Sequence, residues 1–240
     1  MEKRKDNQQS NLREVAHQLD LVKPEADLRK RIDEISRQFV GRPYFSNPLG
    51  SGPEEKESLV CSLEGFDCVT YIEAVLALAL SKTVEDFTSM LRKIRYASGK
   101  VEWLRRNHYM VDWMKENEAR GFIVDITEGA GVIEKTRLLN VVRGLPAKTA
   151  VFFCYPKRRW KSIADKIETG DIVLFASVKK HLDVFHTGFL IRRDGGILLR
   201  HATRKRGAVV EQRIEEFLAD HRMSGLILAR PKERKSKRKR

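Results

Sequence analysis

Residues 66–80 read FDCVTYIEAVLALAL, and this stretch decides the fold. Its apolar residues fall on nearly every face of a helix, a pattern typical of a helix buried in a protein core. Asp67 is a suitable N-cap, so we expect a helix from about Cys68 to Leu80. A cysteine therefore stands at the start of the predicted central helix.

The chain around this helix is also helical in its first half. Apolar residues recur at helical spacing over 28–39, where Pro24 suits a first turn and Gly41 is placed to end the helix. A loop rich in Gly, Pro and Ser covers 42–58, and a further helix should open at Thr83.

After about residue 170 the pattern changes to short segments rich in branched residues, separated by polar or Gly-containing turns. The segments are DIVLFAS, DVFHTGFLI, GILLRHAT, GAVVEQ and GLILA, and only RIEEFLADH among them reads helical. Helices followed by antiparallel strands predict an α+β fold.

Charge is concentrated at the C-terminus. The chain has 47 Lys and Arg against 33 Asp and Glu, a net charge of +14, and residues 230–240 hold eight basic residues and one Glu, or +7 of that total. We predict a helical region over 1–40, one domain over 41–229 and a basic disordered tail over 230–240. The tail would bind an anionic polymer or membrane weakly and would recognise no specific nucleic acid.

Three cysteines are too few for a disulfide framework. The longest apolar run, Ala74 to Leu80, is too short to span a bilayer. The N-terminus lacks the apolar core of a secretory signal, so we expect a cytoplasmic protein, or a periplasmic or secreted one if a signal was removed.

Cys68 is the strongest candidate for chemistry. A helix N-terminus stabilises negative charge, and the thiolate is the nucleophilic form of cysteine. The alternative is that it is a small buried apolar residue, the commoner role of an unselected cysteine. Cys61 and Cys154 are not at predicted helix starts and are expected to be structural.

A nucleophilic thiol needs a base, and an imidazole titrates in the right range. His186 and His201 lie inside apolar strand patterns, on either side of Asp194-Gly195-Gly196. If Gly195 and Gly196 form the turn, His201 opposes Leu190, on the same face as His186 but four residues away, roughly 13 Å. Twist, a bulge or another register must then bring the rings together.

The other histidines are weaker candidates. His17 and His221 fall on polar helical surface, and His108 lies among charged residues. The string HLDVFH lacks metal-ligand spacing, because alternation separates His181 and Asp183 from His186. We therefore expect no metal and no cofactor.

Six ordered blocks carry a resemblance: GRPYFSNPLG, FDCVTYIEAVLALA, IRYASGKVEWLRRNHYMVDWM, GDIVLF, LDVFHTGF and LRHAT. Together they resemble the N-acetylmuramoyl-L-alanine amidase-like family of the NlpC-type, papain-like cysteine hydrolases. They extend from about Gly41 to Thr203. The resemblance implies a papain-like NlpC-type α+β fold, with the nucleophile at the N-terminus of a buried helix that packs on an antiparallel sheet.

The resemblance also implies residue roles. Cys68 is the nucleophile, His186 the general base, and His201 the group that orients His186. Implied substrate-binding residues flank the nucleophile or line the cleft: Tyr44, Asp67, Arg106, His108, Tyr109, Asp112 and Trp113. An alternative for Tyr44 is a turn aromatic that packs on the central helix, and for the 95–113 block an amphipathic helix cap.

The implied reaction is hydrolysis of the amide between (anhydro)N-acetylmuramic acid and L-Ala in peptidoglycan-derived muropeptides, through a thioester. One alternative is a stem-peptide endopeptidase with the same Cys-His-His site. Another, from a different class, is a basic protein that binds anionic polymer and has no hydrolase activity.

Overall fold

The computed structural model of the protein describes residues 2–50 and 52–233. The helices within this part of the chain are α1 (Glu2–Val22), α2 (Leu28–Gln38), α3 (Cys68–Ala79), α4 (Val84–Arg95), α5 (Met110–Ala119), α6 (Trp160–Ile163) and α7 (Ile214–Asp220). None of these helices is long and apolar enough to cross a membrane.

The strands form a larger and a smaller antiparallel sheet. They are β1 (Ile123–Asp125), β2 (Ile133–Leu139), β3 (Lys148–Cys154), β4 (Asp171–Ala176), β5 (Val184–Arg193), β6 (Gly196–Thr203), β7 (Ala208–Arg213) and β8 (Gly225–Pro231). Six of them pair in the order β1-β8-β4-β5-β6-β7, and β2 pairs with β3. The predicted α+β class is confirmed.

Helix α3 is the central helix that the sequence predicted. Oδ1 of Asp67 accepts the N–H groups of Val69 (3.0 Å) and Thr70 (2.7 Å), and Thr70 Oγ1 accepts the N–H of Asp67 (3.0 Å). This reciprocal capping box fixes the start of the helix at Cys68. Every residue from Thr70 to Ala79 is buried, so the helix has no solvent face after its first turn.

The helix before it starts later than predicted. Pro24 lies in the turn between α1 and α2, and Asp27 is the N-cap of α2, with its Oδ1 accepting the N–H of Arg29 at 2.8 Å. A carboxylate satisfies the unpaired N–H groups of a first turn, whereas a proline only tolerates that position, so the aspartate sets the boundary.

Both faces of the larger sheet are covered. Ile172, Leu174 and Phe189 belong to the core that includes α3. Val173, Phe175 and Leu190 point the other way, into a second core with α6 and α7. All six residues of β4 are therefore buried, and after Asp171 the strand reads as a continuous apolar run.

Strands before residue 170 were not predicted from the sequence. The hairpin of β2 and β3 has buried residues at alternate positions of β3, but its outward residues are also apolar in part, including Val151 and Phe153 at about half exposure. Outward apolar side chains hide the two-residue alternation by which a strand is recognised.

The predicted tail begins too early. Arg230 and Pro231 belong to β8, and the Arg230 guanidinium pairs with Asp171 (2.8 Å) and Glu168 (2.6 Å). The side chain of Asp171 is 1% exposed, and burial raises the pKa of its carboxyl while Arg230 opposes that rise. The basic run over 234–240 lies outside the described residues.

We predict that Arg230→Ala lowers the free energy of unfolding by about 2 kcal/mol, because it leaves the buried carboxylate of Asp171 without its cation. The exposed neighbour Lys232 provides the control, and Lys232→Ala should change stability by less than about 0.5 kcal/mol. Urea denaturation of the two variants measures the difference. If both variants lost equally little stability, the stabilising role of Arg230 in the folded domain would be contradicted.

Candidate active site

Cys68 is the first residue of α3 and is partly exposed. The main-chain N–H groups of Thr187, Val69 and Cys68 itself act on its thiol and favour the charged form. Two of these groups belong to the first turn of α3, where the N–H of Val69 also donates to Asp67, and the third belongs to β5. The thiol thus lies near main-chain N–H groups that favour negative charge.

Burial and the charge of Asp67 oppose ionisation of this thiol. Burial is the larger cause, and together they raise the pKa of Cys68 to about 12, although the three N–H groups act in the opposite direction. A thiol with this pKa is protonated at neutral pH. It needs a neighbouring base to become a nucleophile.

The N–H group of Thr187 lies where the pairing of β5 with β6 has ended. The ladder between β5 and β6 ends at the pair Phe189 and Arg200, whereas β6 stays paired with β7 up to Thr203. Beyond this point the main-chain N–H of Thr187 acts on the thiol of Cys68 and favours its charged form. The N-terminus of α3 therefore reaches the main chain of β5 at the residue that directly follows His186.

The two predicted histidines meet at this place. Nε2 of His186 lies 2.5 Å from Nδ1 of His201, and the two rings are nearly perpendicular. The bond occupies Nε2 of His186 and leaves its Nδ1 as the remaining ring nitrogen. The pairing of His186 with His201 that the sequence suggested is thus present in the fold.

The register of the hairpin differs from the one assumed. Arg193 pairs with Gly196, so the turn is Asp194-Gly195, and the ladder continues to the pair Phe189 and Arg200. Extending this register places His201 opposite Gly188 and not Leu190. The offset from His186 falls from four residues to two, which makes the rings diagonal neighbours within reach of each other.

Gly188 is required by this contact. A Cβ atom at position 188 would lie 2.8 Å from the Cβ of His201 and 2.8 Å from the carbonyl oxygen of Arg200. Neither atom is the far end of a flexible side chain, so a larger residue would push β6 away. The glycine of HTGF permits the close approach that joins the two imidazoles.

Both imidazoles are held neutral. Burial, followed by the charges of His201 and His221, lowers the pKa of His186 well below its usual value. Burial and the charge of His221 lower the pKa of His201 to about 4. His201 is 1% exposed, and its Nε2 has no hydrogen-bond partner among the described residues, so it stands behind the more accessible His186.

An aromatic stack supports the pair from the α7 side. The Phe217 ring stacks on His186 with a centroid distance of 5.2 Å and meets His201 edge-on at 5.3 Å. On its other side Phe217 stacks on His221 at 4.1 Å. His221 was predicted to lie on an exposed helical surface, but it is half-buried, because α7 turns it inward against Phe217.

Tyr44 lies close to Cys68, as the resemblance implied. The charges of Cys68 and Asp67 both act on its hydroxyl, and together with burial they raise the pKa of Tyr44. Its main chain bridges to Phe66, two residues before Cys68. The side chain is partly exposed and also packs against the main core, so both interpretations of Tyr44 apply.

Asp67 has a structural role. Its Oδ1 accepts two main-chain N–H groups and the hydroxyl of Thr70 (2.8 Å). These bonds use the carboxylate as the cap of α3. It influences the site through its charge on Cys68.

The implied cleft residues divide into two groups. Tyr109 and Trp113 are 2% and 0% exposed, so they pack in the core, and their prediction as cleft contacts is wrong for this conformation. Both side chains face inward from the start of α5. For this block a helix cap was predicted only as the alternative to a cleft. The Tyr109 hydroxyl accepts the N–H of Val141 at 3.1 Å.

The second group lies nearer the surface but is engaged within the protein. Arg106 donates to Glu57 at 2.6 Å, and both side chains are largely buried. His108 bonds the carbonyl oxygen of Trp103 at 2.8 Å and packs against its ring at a tilted angle, and burial lowers the pKa of His108. Asp112 pairs with Lys148 and keeps about a third of its side chain exposed.

Asp183 was not selected from the sequence, yet it joins two parts of the site. Its buried Oδ2 accepts the N–H of Val111 in the first turn of α5 at 2.9 Å, which is a cap supplied from another element. It stands immediately before β5 and three residues before His186. The aspartate of LDVFHTGF thus holds α5 against the strand that carries His186.

The remaining cysteines are not at the start of a helix: Cys61 precedes α3 in a loop, and Cys154 ends β3. Burial raises the pKa of both thiols, as it does for Cys68. Within the described part of the chain, no group of three or more His, Cys, Asp or Glu side chains is arranged to hold a metal ion.

The protein is therefore an α+β protein in which Cys68 begins a buried helix and a hydrogen-bonded pair of histidines, His186 and His201, lies on an antiparallel sheet. The AmiA-like family model, described as N-acetylmuramoyl-L-alanine amidase-like, matches residues 34–226. The chain belongs to this N-acetylmuramoyl-L-alanine amidase-like family. A search of curated proteins found no significant match.

Solved structures share the fold. A protein from Legionella pneumophila superimposes with a TM-score of 0.81 over 95% of this chain and 97% of that chain, at 20% identity. An N-acetylmuramoyl-L-alanine amidase from Bacteroides uniformis superimposes with a TM-score of 0.75 over 86% of this chain and 99% of that chain, at 25% identity.

We predict that the buried neutral His201 makes stability depend on pH. Its pKa is about 4 in the fold and about 6.5 in an unfolded chain, so the unfolded state binds more protons between these values. The free energy of unfolding should fall as pH drops from about 6.5 to 4, by up to roughly 3 kcal/mol from this group.

His201→Gln should flatten this pH dependence, measured by urea denaturation at pH 7 and pH 4.5. His17 is exposed on α1 and supplies the control, since His17→Gln should retain the dependence of the unmodified protein. If His201→Gln loses stability on acidification as steeply as the unmodified protein, the burial of a neutral imidazole is not the cause.

Proposed function

We propose that this protein is a cysteine amidase that hydrolyses the amide between N-acetylmuramic acid and L-Ala in peptidoglycan-derived muropeptides. The observation that carries the proposal is the position of Cys68. The main-chain N–H of Thr187, the residue that follows His186, acts on the Cys68 thiol, and His186 is hydrogen-bonded to His201 at 2.5 Å. In this proposal Cys68 supplies the thiol, His186 is the base and His201 orients the base, which are the three roles found in papain-like NlpC-type hydrolases.

The first half-reaction forms a thioester. Nδ1 of His186 takes the Sγ proton of Cys68 as the sulfur attacks the carbonyl carbon of the lactyl group. The resulting tetrahedral oxyanion collapses when the imidazolium returns that proton to the nitrogen of L-Ala. The C–N bond breaks, the peptide leaves as a free amine, and the muramoyl group remains on sulfur.

The second half-reaction releases the sugar acid. His186, neutral again, removes a proton from a water molecule, which attacks the thioester carbonyl. The C–S bond breaks, and the proton goes to the departing thiolate. The products are an N-acetylmuramic acid with a free lactyl carboxylate and a peptide with a free L-Ala amino terminus.

His201 supports the imidazolium that forms in both steps. In the tautomer that the mechanism requires, Nε2 of His186 donates to Nδ1 of His201, which leaves Nδ1 of His186 unprotonated and able to act as base. The low pKa of His186 makes that neutral form dominant before substrate binds, and the raised pKa of Cys68 keeps its proton available. The resting pair is therefore a neutral thiol and a neutral imidazole.

The choice of scissile bond rests on the family and on the Bacteroides uniformis amidase. The same three residues would also serve a stem-peptide endopeptidase, so product analysis must separate the two reactions. Defined muropeptides should give a free L-Ala amino terminus and an intact sugar lactate, identified by mass. Cleavage only within the stem peptide would favour the endopeptidase, and absence of any cleavage would favour a polymer-binding protein.

Replacement of the nucleophile tests the mechanism. We predict that Cys68→Ala loses more than about a thousandfold in turnover while its thermal midpoint stays close to that of the unmodified protein, because a partly exposed thiol contributes little packing. Cys61→Ala and Cys154→Ala are the matched controls and should stay active. An active Cys68→Ala, or an inactive control that is folded, would refute the assignment.

The two histidines should differ in importance. We predict that His186→Ala lowers kcat more than about a thousandfold, because the base moves a proton in both half-reactions. His201→Gln should lower it by about 10- to 100-fold, because an amide oxygen can still accept from His186 Nε2. His201→Ala should fall between them.

Rates of these variants are to be measured across pH, since a coupled Cys-His pair gives a bell-shaped profile. Equal losses in folded His186→Ala and His201→Gln would mean that His201 takes part in proton transfer. Substantial activity in His186→Ala would place the base elsewhere.

A further inference from the structure

The turn between β6 and β7 lies beside the candidate active site. The main-chain N–H of Tyr44 donates to the carbonyl oxygen of Gly207 at 2.8 Å, and the N–H of Gly207 donates to the carbonyl of Arg204 at 3.2 Å. Pro43 also bridges to Ala208, the first residue of β7. The segment that presents Tyr44 next to Cys68 is thus fixed to the turn that presents Arg204.

This turn carries three consecutive cations, Arg204, Lys205 and Arg206, all exposed. Lys205 pairs with Asp220 at 3.1 Å. In the described part of the chain, no carboxylate pairs with Arg204, whereas Arg106 and Arg200 are paired with Glu57 and Glu211. Arg204 therefore keeps its full set of guanidinium donors for a ligand.

The charge of Arg204 also acts at the site. Its field reaches the hydroxyl of Tyr44, where the charges of Cys68 and Asp67 act as well. Arg106, the cation that the sequence selected for the cleft, is committed to the largely buried Glu57. The exposed guanidinium next to Tyr44 is thus Arg204, a residue that the ordered sequence blocks did not include.

We propose that Arg204 binds a carboxylate of the substrate's peptide, on the amine side of the scissile bond. This inference rests on the proposed function. In a muramoyl peptide the N-acetylated sugar is neutral once its lactyl carboxyl forms the amide, so the carboxylates all belong to the peptide. A planar guanidinium matches a carboxylate with two parallel hydrogen bonds.

The proposal gives the substrate a direction. The leaving peptide lies toward Tyr44 and the β6–β7 turn, and the sugar lies on the opposite side of Cys68. Because Arg204 meets a group away from the reacting atoms, its contribution is to ground-state binding and appears in KM and not in kcat.

The test compares two fragments that differ only in charge: muramoyl-L-Ala-D-Glu with free carboxylates, and the same fragment with its carboxylates converted to amides. Arg204→Gln should raise KM for the acid about tenfold, with kcat unchanged, and should alter KM for the amide less than about twofold. Arg204→Lys should restore part of the affinity for the acid. Arg206→Gln removes an equal charge from the same turn and should behave as the unmodified protein.

The outcomes separate the two claims. If the unmodified protein cleaves both fragments and Arg204→Gln raises neither KM, or raises both equally, the proposed function stands and the role of Arg204 is wrong. An equal effect from Arg206→Gln would mean that Arg204 acts only through the general positive charge of the turn, which would overturn the proposal. If the unmodified protein cleaves neither fragment, the proposed function fails, and the Arg204 inference fails with it.

Discussion

The position of Cys68 against β5, where the main-chain N–H of Thr187 acts on its thiol, is the constraint on which the site depends. The ladder between β5 and β6 ends at the pair Phe189 and Arg200, so Thr187 lies beyond it. The capping box of α3 holds Cys68 at the first position of that helix. The end of this strand pairing thus lies where the first residue of α3 reaches the residue that follows His186.

Buried polar contacts hold the elements that make this geometry. Arg200, at 1% exposure, donates to Glu211 (2.8 Å), to the carbonyl of Asp33 (2.8 Å) and to Ser36 (2.6 Å), which ties α2 to the two strands beside His201. Asp183 does the same for α5 by capping it from the start of β5. A buried ion is strongly destabilising when its partner is lost, so these contacts enforce one arrangement of helices around the sheet.

Sequence patterns predicted the parts of the fold whose signals are local. The N-cap Asp67, the apolar run to Leu80 and the branched segments after residue 170 led to α3 and to most of the larger sheet. They also paired His186 with His201, but on the wrong turn, because Gly195-Gly196 and Asp194-Gly195 are both acceptable hairpin turns. Partners that are distant in sequence, such as Phe217 on His186 or Asp183 on α5, leave no local pattern. Burial of Tyr109 and Trp113 depends on packing in the same way, since an aromatic residue suits a cleft or a core equally well.

The central claim is that Cys68 carries the muramoyl group as a thioester. The most direct measurement is to mix the protein with a muramoyl-L-Ala fragment, stop the reaction with acid within one turnover, and map the protein by mass. The account predicts one added muramoyl acyl group on the peptide that contains Cys68, absent in Cys68→Ala and lost on treatment with hydroxylamine. A stem-peptide fragment on Cys68 would contradict the proposed bond, and turnover with no acyl group on any cysteine would contradict the mechanism itself.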